Sequence, residues 1–206
     1  MRLPDKTRFI TSVLDELYPE PEIPLEHENN FTFLVAVMLS AQSTDKKVNQ
    51  ITPKLFAKAN TPEKMDKLSE KEIRTLIREI GLAPTKSKNI KRTCRQLLEK
   101  HDGEIPDNFE ELEELAGVGH KTASVMMAQA FNVPAFPVDT HIHRLAFRWG
   151  LSNGKNVQTT EKDLKASFTK KDWNRLHLQM IFYGREHCQA RKRICECQIC
   201  ESIRNS

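Results

Sequence analysis

LAGVGHKTA, residues 115–123, sets two glycines two positions apart and a lysine two positions after the second, in a chain with only seven glycines among 206 residues. Just upstream, Phe109, Leu112 and Leu115 recur at helical spacing and make an apolar stripe. Glycine tolerates positive φ and lets another backbone come close. Gly117-Val118-Gly119 therefore predicts a tight hairpin between two helices, with Val118 turned inward as its pin. The second helix is expected to start near His120 and run through Lys121–Phe131. Free N–H groups and the helix dipole make such an N-terminus an anion site.

A phosphate oxygen is the natural occupant, so the stretch reads as a helix-hairpin-helix, which grips a nucleic-acid backbone without reading bases. Gly117, Val118, Gly119, His120 and Thr122 are the candidate contacts there, and the basic Lys192 is another further on.

Outward from the hairpin the chain reads as all-α, about ten short helices with no internal repeat. Alternating β-branched runs are missing. Phe9, Ile10, Val13, Leu14 and Leu17 line one helix face, and the prolines of YPEPEIPLE break it. Phe31–Leu39 is apolar all round, which implies a buried helix. Thr61-Pro62 and Ser69 with Glu72 are two helix starts, the second a capping box, and Gly81 is expected to stop the helix that follows. Further helices are expected over 108–116, 140–149, 159–167 and 171–187.

Charged residues make up 29% and hydrophobic ones 38% of the chain, which excludes a disordered protein. No apolar run reaches the ~18 residues of a membrane span, and the N-terminus lacks a signal-peptide core. A cytoplasmic, nucleoid-associated monomer with no membrane partner is the expectation. The net charge is +4, but the basic residues are clustered. Lys86, Lys88, Lys91, Arg92 and Arg95 crowd one stretch and Arg185, Arg191, Lys192 and Arg193 another, which allows a basic face on a nearly neutral protein.

Eighteen residues beyond Lys121, PVDTHIHRL (137–145) places Asp139 just before a helix. LAGVGHKTASVMMAQAF and PVDTHIHRL, with MLSAQSTDKKVN (38–49), IGLAPTKSKNI (80–90) and GREHCQARKRIC (184–195), resemble five ordered segments of the endonuclease III family of DNA glycosylases. The resemblance implies two helical lobes flanking a DNA groove. One would be a six-helix barrel over 22–132 that includes the hairpin. The other would join 1–21 to 133–206. It also implies cleavage of the N-glycosidic bond of oxidised pyrimidines in duplex DNA, then a nick by β-elimination. Lys121 stands where the family has its nucleophile and Asp139 where it has the partner carboxylate, the two facing each other across the groove mouth. Gln42 resembles the residue that fills the gap left by an extruded base, and Ile80 and Leu82 fall where the opposite strand is wedged. Ala116 stands where the family usually has proline.

The chemistry of those residue types agrees. A lysine amine is protonated at neutral pH by its ordinary value of about 10.4 and must shed a proton before it attacks a sugar C1′. Burial and a helix N-terminus both favour the neutral amine. The Schiff base then serves as an electron sink for β-elimination, which a water nucleophile cannot provide. An aspartate beside it can help remove the proton and offset charge on the sugar; the same aspartate also suits a helix cap. A base inside a stack cannot be reached, so it is flipped out, and a glutamine amide suits the vacated place.

Two other readings stand as alternatives, the first disfavoured by the presence of Lys121. One is an adenine-mismatch glycosylase of the same superfamily, which normally lacks the hairpin lysine and carries an extra C-terminal domain. The other is a non-catalytic helix-hairpin-helix DNA-binding protein.

Cys188, Cys195, Cys197 and Cys200 lie within 13 residues, spaced Cys-x6-Cys-x1-Cys-x2-Cys, and Cys94 stands apart as a buried or half-buried thiol. In a cytosolic chain such a cluster reads as a metal site. The family pattern is Cys-x6-Cys-x2-Cys-x5-Cys; its third and fourth positions fall on Gln198 and Arg204. Four thiolates suit a [4Fe–4S] cluster and also a tetrahedral zinc; because the spacing departs from the family, a degenerate site that binds neither is the third reading.

Overall fold

A computed structural model describes residues 2–191 and 194–206. Among them all regular structure is helical: α1 (Leu3–Leu17), α2 (Asn30–Ser40), α3 (Asp45–Phe56), α4 (Pro62–Lys67), α5 (Glu70–Leu76), α6 (Ala83–Lys100), α7 (Phe109–Glu114), α8 (His120–Gln129), α9 (Thr140–Arg148), α10 (Val157–Ser167), α11 (Trp173–Glu186) and α12 (Gln198–Arg204), with a 3-10 turn at Lys170–Asp172. No helix among the described residues is long and apolar enough to cross a membrane. The chain divides into two compact units, Ile23–Phe131 and Met1–Glu22 with Asn132–Ser206.

In the Ile23–Phe131 unit, α2 is the central helix. Every residue from Phe31 to Leu39 is buried, as an all-apolar sequence requires. Asn29 starts it through a reciprocal capping box, its side chain accepting from the Thr32 amide at 2.9 Å while the Thr32 hydroxyl accepts from the Asn29 amide at 3.0 Å. α3, α6 and α8 pack around it. Thr61 caps α4 with Pro62 in the first turn, and Ser69 with Glu72 forms the capping box of α5.

One expectation fails here. Gly81 does not stop α5, which already ends at Leu76 with Ile77 as its C-cap. Gly81 instead lies in the turn into α6, where an added Cβ would sit 3.1 Å from the Gln42 carbonyl oxygen. The basic stretch of α6 is not uniformly exposed. Lys86 is buried. Lys91 and Arg95 both pair with Asp66 of α4, at 2.8 and 3.3 Å, so they tie α4 to α6. Cys94 is buried, and desolvation pushes its thiol up to about 12.

The second unit has its own core, in which Ile10 and Leu14 of α1, Phe136, Ile142, Leu145, Trp149, Leu176, Met180 and Tyr183 are all fully or almost fully buried. Arg175 of α11 bridges Asp15 of α1 and Asp172. Beside it the Gln179 amide donates to Asp15 and to the Tyr18 carbonyl, at 2.9 and 2.8 Å. α12 went unread in the sequence because cysteines dominate the segment that leads into it.

Candidate active site and cysteine centre

Gly117-Val118-Gly119 joins α7 to α8 as the sequence implies, with Val118 buried. The hairpin closes on itself through the Val118 amide, which donates to the Leu115 carbonyl at 3.0 Å. α6 clasps it from outside. The Gln96 amide donates to the Glu114 carbonyl at 2.9 Å and its carbonyl accepts from the Ala116 amide at 2.8 Å. The Thr93 hydroxyl donates to the Ala116 carbonyl at 2.8 Å. Thus the peptide groups around Ala116 are held although proline is missing there.

The two glycines differ in what requires them. Gly117 has φ +81°, and an added Cβ would lie 2.6 Å from the Asn89 side chain; conformation and space both demand glycine. Gly119 is the N-cap of α8 at φ −102° and ψ 177°, an ordinary extended backbone. A Cβ there would meet no atom of the described residues within 4 Å. Nothing inside the fold accounts for it, so the open approach to the first amides of α8 is what distinguishes that position.

Lys121 stands in the first turn of α8 and is exposed. The helix N-terminus expected around it is present; the expected burial is not. His120, also exposed, lies against Glu113 with its Nδ1 2.7 Å from Oε1, and stacks on Phe109 at 5.8 Å between ring centroids. Thr122 is half-buried. Asp139 is the N-cap of α9, its Oδ1 accepting from the Ile142 amide at 2.8 Å. The cap role foreseen for it is real and fixes the carboxylate, which is half-buried. Lys121 belongs to the Ile23–Phe131 unit and Asp139 to the other.

Gln42 and Leu82 come together in the first unit. Both have left-handed backbones, φ +57° and +60°, and neither is glycine. Both side chains are exposed, Leu82 at 52%. The Gly81 amide between Ile80 and Leu82 donates to the Ser43 hydroxyl at 3.3 Å. Ile80, expected beside Leu82 on the wedge, is instead only 3% exposed, and its side chain serves the core. Lys192 lies outside the described residues.

The four clustered cysteines do converge. Their Sγ atoms all lie within 4.8 Å of one another, so the displaced third and fourth cysteines still reach the first two. Cys188 and Cys195 are buried, Cys197 and Cys200 half-buried. Crowding splits the thiols. Hydrogen bonding with Cys188, then with Cys200, holds Cys197 far below the usual thiol range, while hydrogen bonding with Cys188 and Cys197 pushes Cys200 far above it. Four thiolates at this spacing repel unless a cation sits among them, and the all-sulfur donor set fits a soft metal or an iron–sulfur group.

Side chains to which the sequence reading gave no part in the cysteine centre hold this loop. Arg148 Nη1 donates to Cys188 Sγ at 3.2 Å and to the Gln189 carbonyl at 3.0 Å. Arg144 Nη2 donates to the carbonyls of Gly184 and Cys188, each at 2.9 Å. The Tyr183 hydroxyl accepts from the Ile199 amide at 3.2 Å, and Arg204 donates to the Cys195 carbonyl at 3.2 Å. The four-residue spacing of Arg144 and Arg148 on one helix was the available signal.

The chain matches the model of the HhH-GPD superfamily base excision DNA repair proteins over residues 35–170. It is 43% identical over 194 residues to the endonuclease III of Haemophilus influenzae, covering 94% of this chain and 92% of that one. It is 40% identical over 193 residues to the endonuclease III of Bacillus subtilis, covering 93% and 88%. Among solved structures it resembles an endonuclease III trapped as a covalent intermediate with DNA, with TM-score 0.91, 37% identity and coverage of 98% of this chain and 99% of that one. A non-covalent endonuclease III–DNA complex matches with TM-score 0.91 and 36% identity over the whole of both chains.

Proposed function

Since the chain belongs to the endonuclease III family within the HhH-GPD superfamily of base excision DNA repair proteins, we propose that it is a DNA glycosylase with abasic-site lyase activity whose substrates are oxidised pyrimidines in duplex DNA. Support comes from relatives of about 40% identity along most of the chain and from one feature of the site. An exposed amine stands in the first turn of a helix whose N-cap is a glycine with open space in front of it. Phosphate held by the amides of α8 sets the duplex backbone beside that turn.

Lys121 then attacks C1′ of the damaged nucleotide as a neutral amine. The N–C1′ bond forms as the glycosidic bond breaks, and the base leaves with the bonding pair. The sugar ring opens to a protonated imine on Lys121, which withdraws electrons from C2′. Water takes the C2′ proton, a C2′=C3′ double bond forms and the 3′ phosphate leaves with the C3′–O bonding pair, which nicks the strand 3′ to the site; hydrolysis of the imine frees the lysine. Asp139, held by its cap bond, takes the amine proton and offsets positive charge on the sugar. Gln42 and Leu82 enter the duplex where the base has left, Gln42 opposite the orphaned base and Leu82 in the other strand.

Cys188, Cys195, Cys197 and Cys200 would hold a [4Fe–4S] cluster in this reading, which would tie the four cysteines to one group. A second reading, one tetrahedral ion such as zinc, is favoured by the compact sulfur set. Four thiolates about 2.3 Å from a single ion stand about 3.8 Å apart, and Cys188 and Cys200 are 3.9 Å apart. Iron and zinc content, with an absorption band at about 400 nm for the cluster, separates the two.

Borohydride trapping on DNA with an abasic site tests the chemistry. Wild type leaves a covalent adduct. Lys121→Ala is expected to lose it by at least about a thousandfold without unfolding, since the side chain is exposed. Asp139→Asn keeps a good cap residue and should slow the reaction by about a hundredfold or more. Full trapping by Lys121→Ala would refute the assignment, and its absence from wild type as well would favour the non-catalytic reading.

A further inference from the structure

Lys86 is the lysine of the basic stretch that the solvent does not see. It is 6% exposed, and its Nζ donates to the Leu39 and Ala41 carbonyls at 2.7 and 2.5 Å. Those carbonyls belong to the end of α2, where the last acceptors of a helix lack partners. α2 is apolar on every side, so the Leu39 carbonyl cannot turn to water. The Ala41 carbonyl is part of the peptide plane that leads into Gln42.

Gln42 sits at φ +57° without being glycine or asparagine, a strained conformation for a residue with a Cβ. It persists only if neighbours over-determine it. Leu82 is in the same condition at φ +60°. Lys86 touches both segments. Its backbone amide closes the first turn of α6 on the Leu82 carbonyl at 3.0 Å, as any residue there would, while its ammonium fixes the peptide before Gln42. Two further ties join the segments: the Gly81 amide to the Ser43 hydroxyl, and the Lys47–Glu79 ion pair.

We propose that Lys86 is a positioning residue that locks the Gln42 and Leu82 segments together in the strained form that enters the duplex beside an extruded base. The inference rests on the reading of Gln42 and Leu82 given above. A lysine that capped α2 for stability alone would give the same hydrogen bonds but would have no reason to affect damaged DNA more than intact DNA. Desolvation lowers the Lys86 pKa; the two carbonyls and the negative end of α2 oppose that and favour the ammonium.

The test uses the full chain and two duplexes, one intact and one with an uncleavable tetrahydrofuran abasic site, with binding measured for wild type, Lys86→Met, Gln42→Ala and the double variant. Methionine fills the stem and removes the donors. Lys86→Met is expected to reduce the preference for the abasic duplex by about tenfold, or 1.4 kcal/mol, with affinity for intact duplex within about twofold of wild type. The loss should be non-additive with Gln42→Ala, because both act through one loop. Equal weakening on both duplexes, or effects of the two substitutions that multiply, would overturn the proposal. If wild type shows no preference for the abasic duplex, the reading of Gln42 and Leu82 fails first and takes this one with it. Should Lys86→Met not fold, Lys86→Gln, which keeps one donor group for two acceptors, is held to the same two criteria.

Discussion

The glycine hairpin and the cysteine loop are two short irregular segments held in opposite ways. The hairpin is fixed by its own backbone and by the neighbouring helix α6, through Thr93, Gln96 and the fit of Gly117 against Asn89. Its chemistry is presented outward, as open amides and one exposed amine. The cysteine loop faces inward. Arginines from α9, a tyrosine from α11 and an arginine from α12 hold it, and its chemistry is four sulfur atoms aimed at one another. A segment that meets its ligand from outside needs backbone shape, whereas one that encloses a ligand needs partners from far along the chain.

The largest effect expected from this contrast is on the hairpin's inner glycine. Gly117→Ala puts a Cβ at positive φ and against Asn89, and should cost about 2–4 kcal/mol in denaturant unfolding. Gly119→Ala should cost no more than about 1 kcal/mol, the difference between glycine and alanine at an N-cap, yet weaken binding to any duplex regardless of lesion. If Gly119→Ala were the more destabilising of the two, the assignment of one glycine to the fold and the other to the ligand would be wrong.

Next in size is the loss of a long-range tie. Arg148→Met removes donors to Cys188 Sγ and to the carbonyls of Gln189 and Ala190. Water replaces the donor at the exposed carbonyls, so the cost is that of the charge-assisted bond to buried Cys188 Sγ, about 1.5–3 kcal/mol, felt locally as faster proteolytic cleavage after Arg191 and as easier loss of metal to a chelator. Trapping on abasic DNA by the metal-loaded protein should change far less. Equal loss of trapping and metal retention would mean that the loop and the hairpin chemistry are not separable.

The same contrast explains what the sequence could show. Helix starts at Thr61, Ser69 and Asp139, the buried run Phe31–Leu39 and the hairpin itself are local, and each is legible from a few adjacent residues. Lys86 was not, because a lysine among lysines gives no sign that its ammonium ends against carbonyls 45 residues away. Ile80 and Leu82 differ by two positions, yet the left-handed turn at Leu82 sends one into the core and the other to solvent. The cysteine group was readable as a metal site from residue type alone. Its convergence despite altered spacing depends on Arg144, Arg148 and Tyr183, which are set by the packing of α9 and α11.

The smallest expected effect concerns acid. Within the hairpin's unit, hydrogen bonding from Lys91, opposed in part by desolvation and aided by Arg95, holds the Asp66 carboxyl below the ordinary aspartate value. A carboxyl depressed in the folded state stabilises it above the unfolded value of about 3.9, and that contribution disappears as pH falls through the lower folded value. Asp66→Asn should therefore lower stability by about 0.5–1 kcal/mol at neutral pH, with the gap to wild type closing as the pH drops below 4. The ties described for the cysteine loop contain no carboxylate, so that loop's protease resistance should not follow the same titration. A gap between wild type and Asp66→Asn that widened toward acid would show that Asp66 is not held as an ion between α4 and α6, and the support of the hairpin by a clamped α6 would lose its footing.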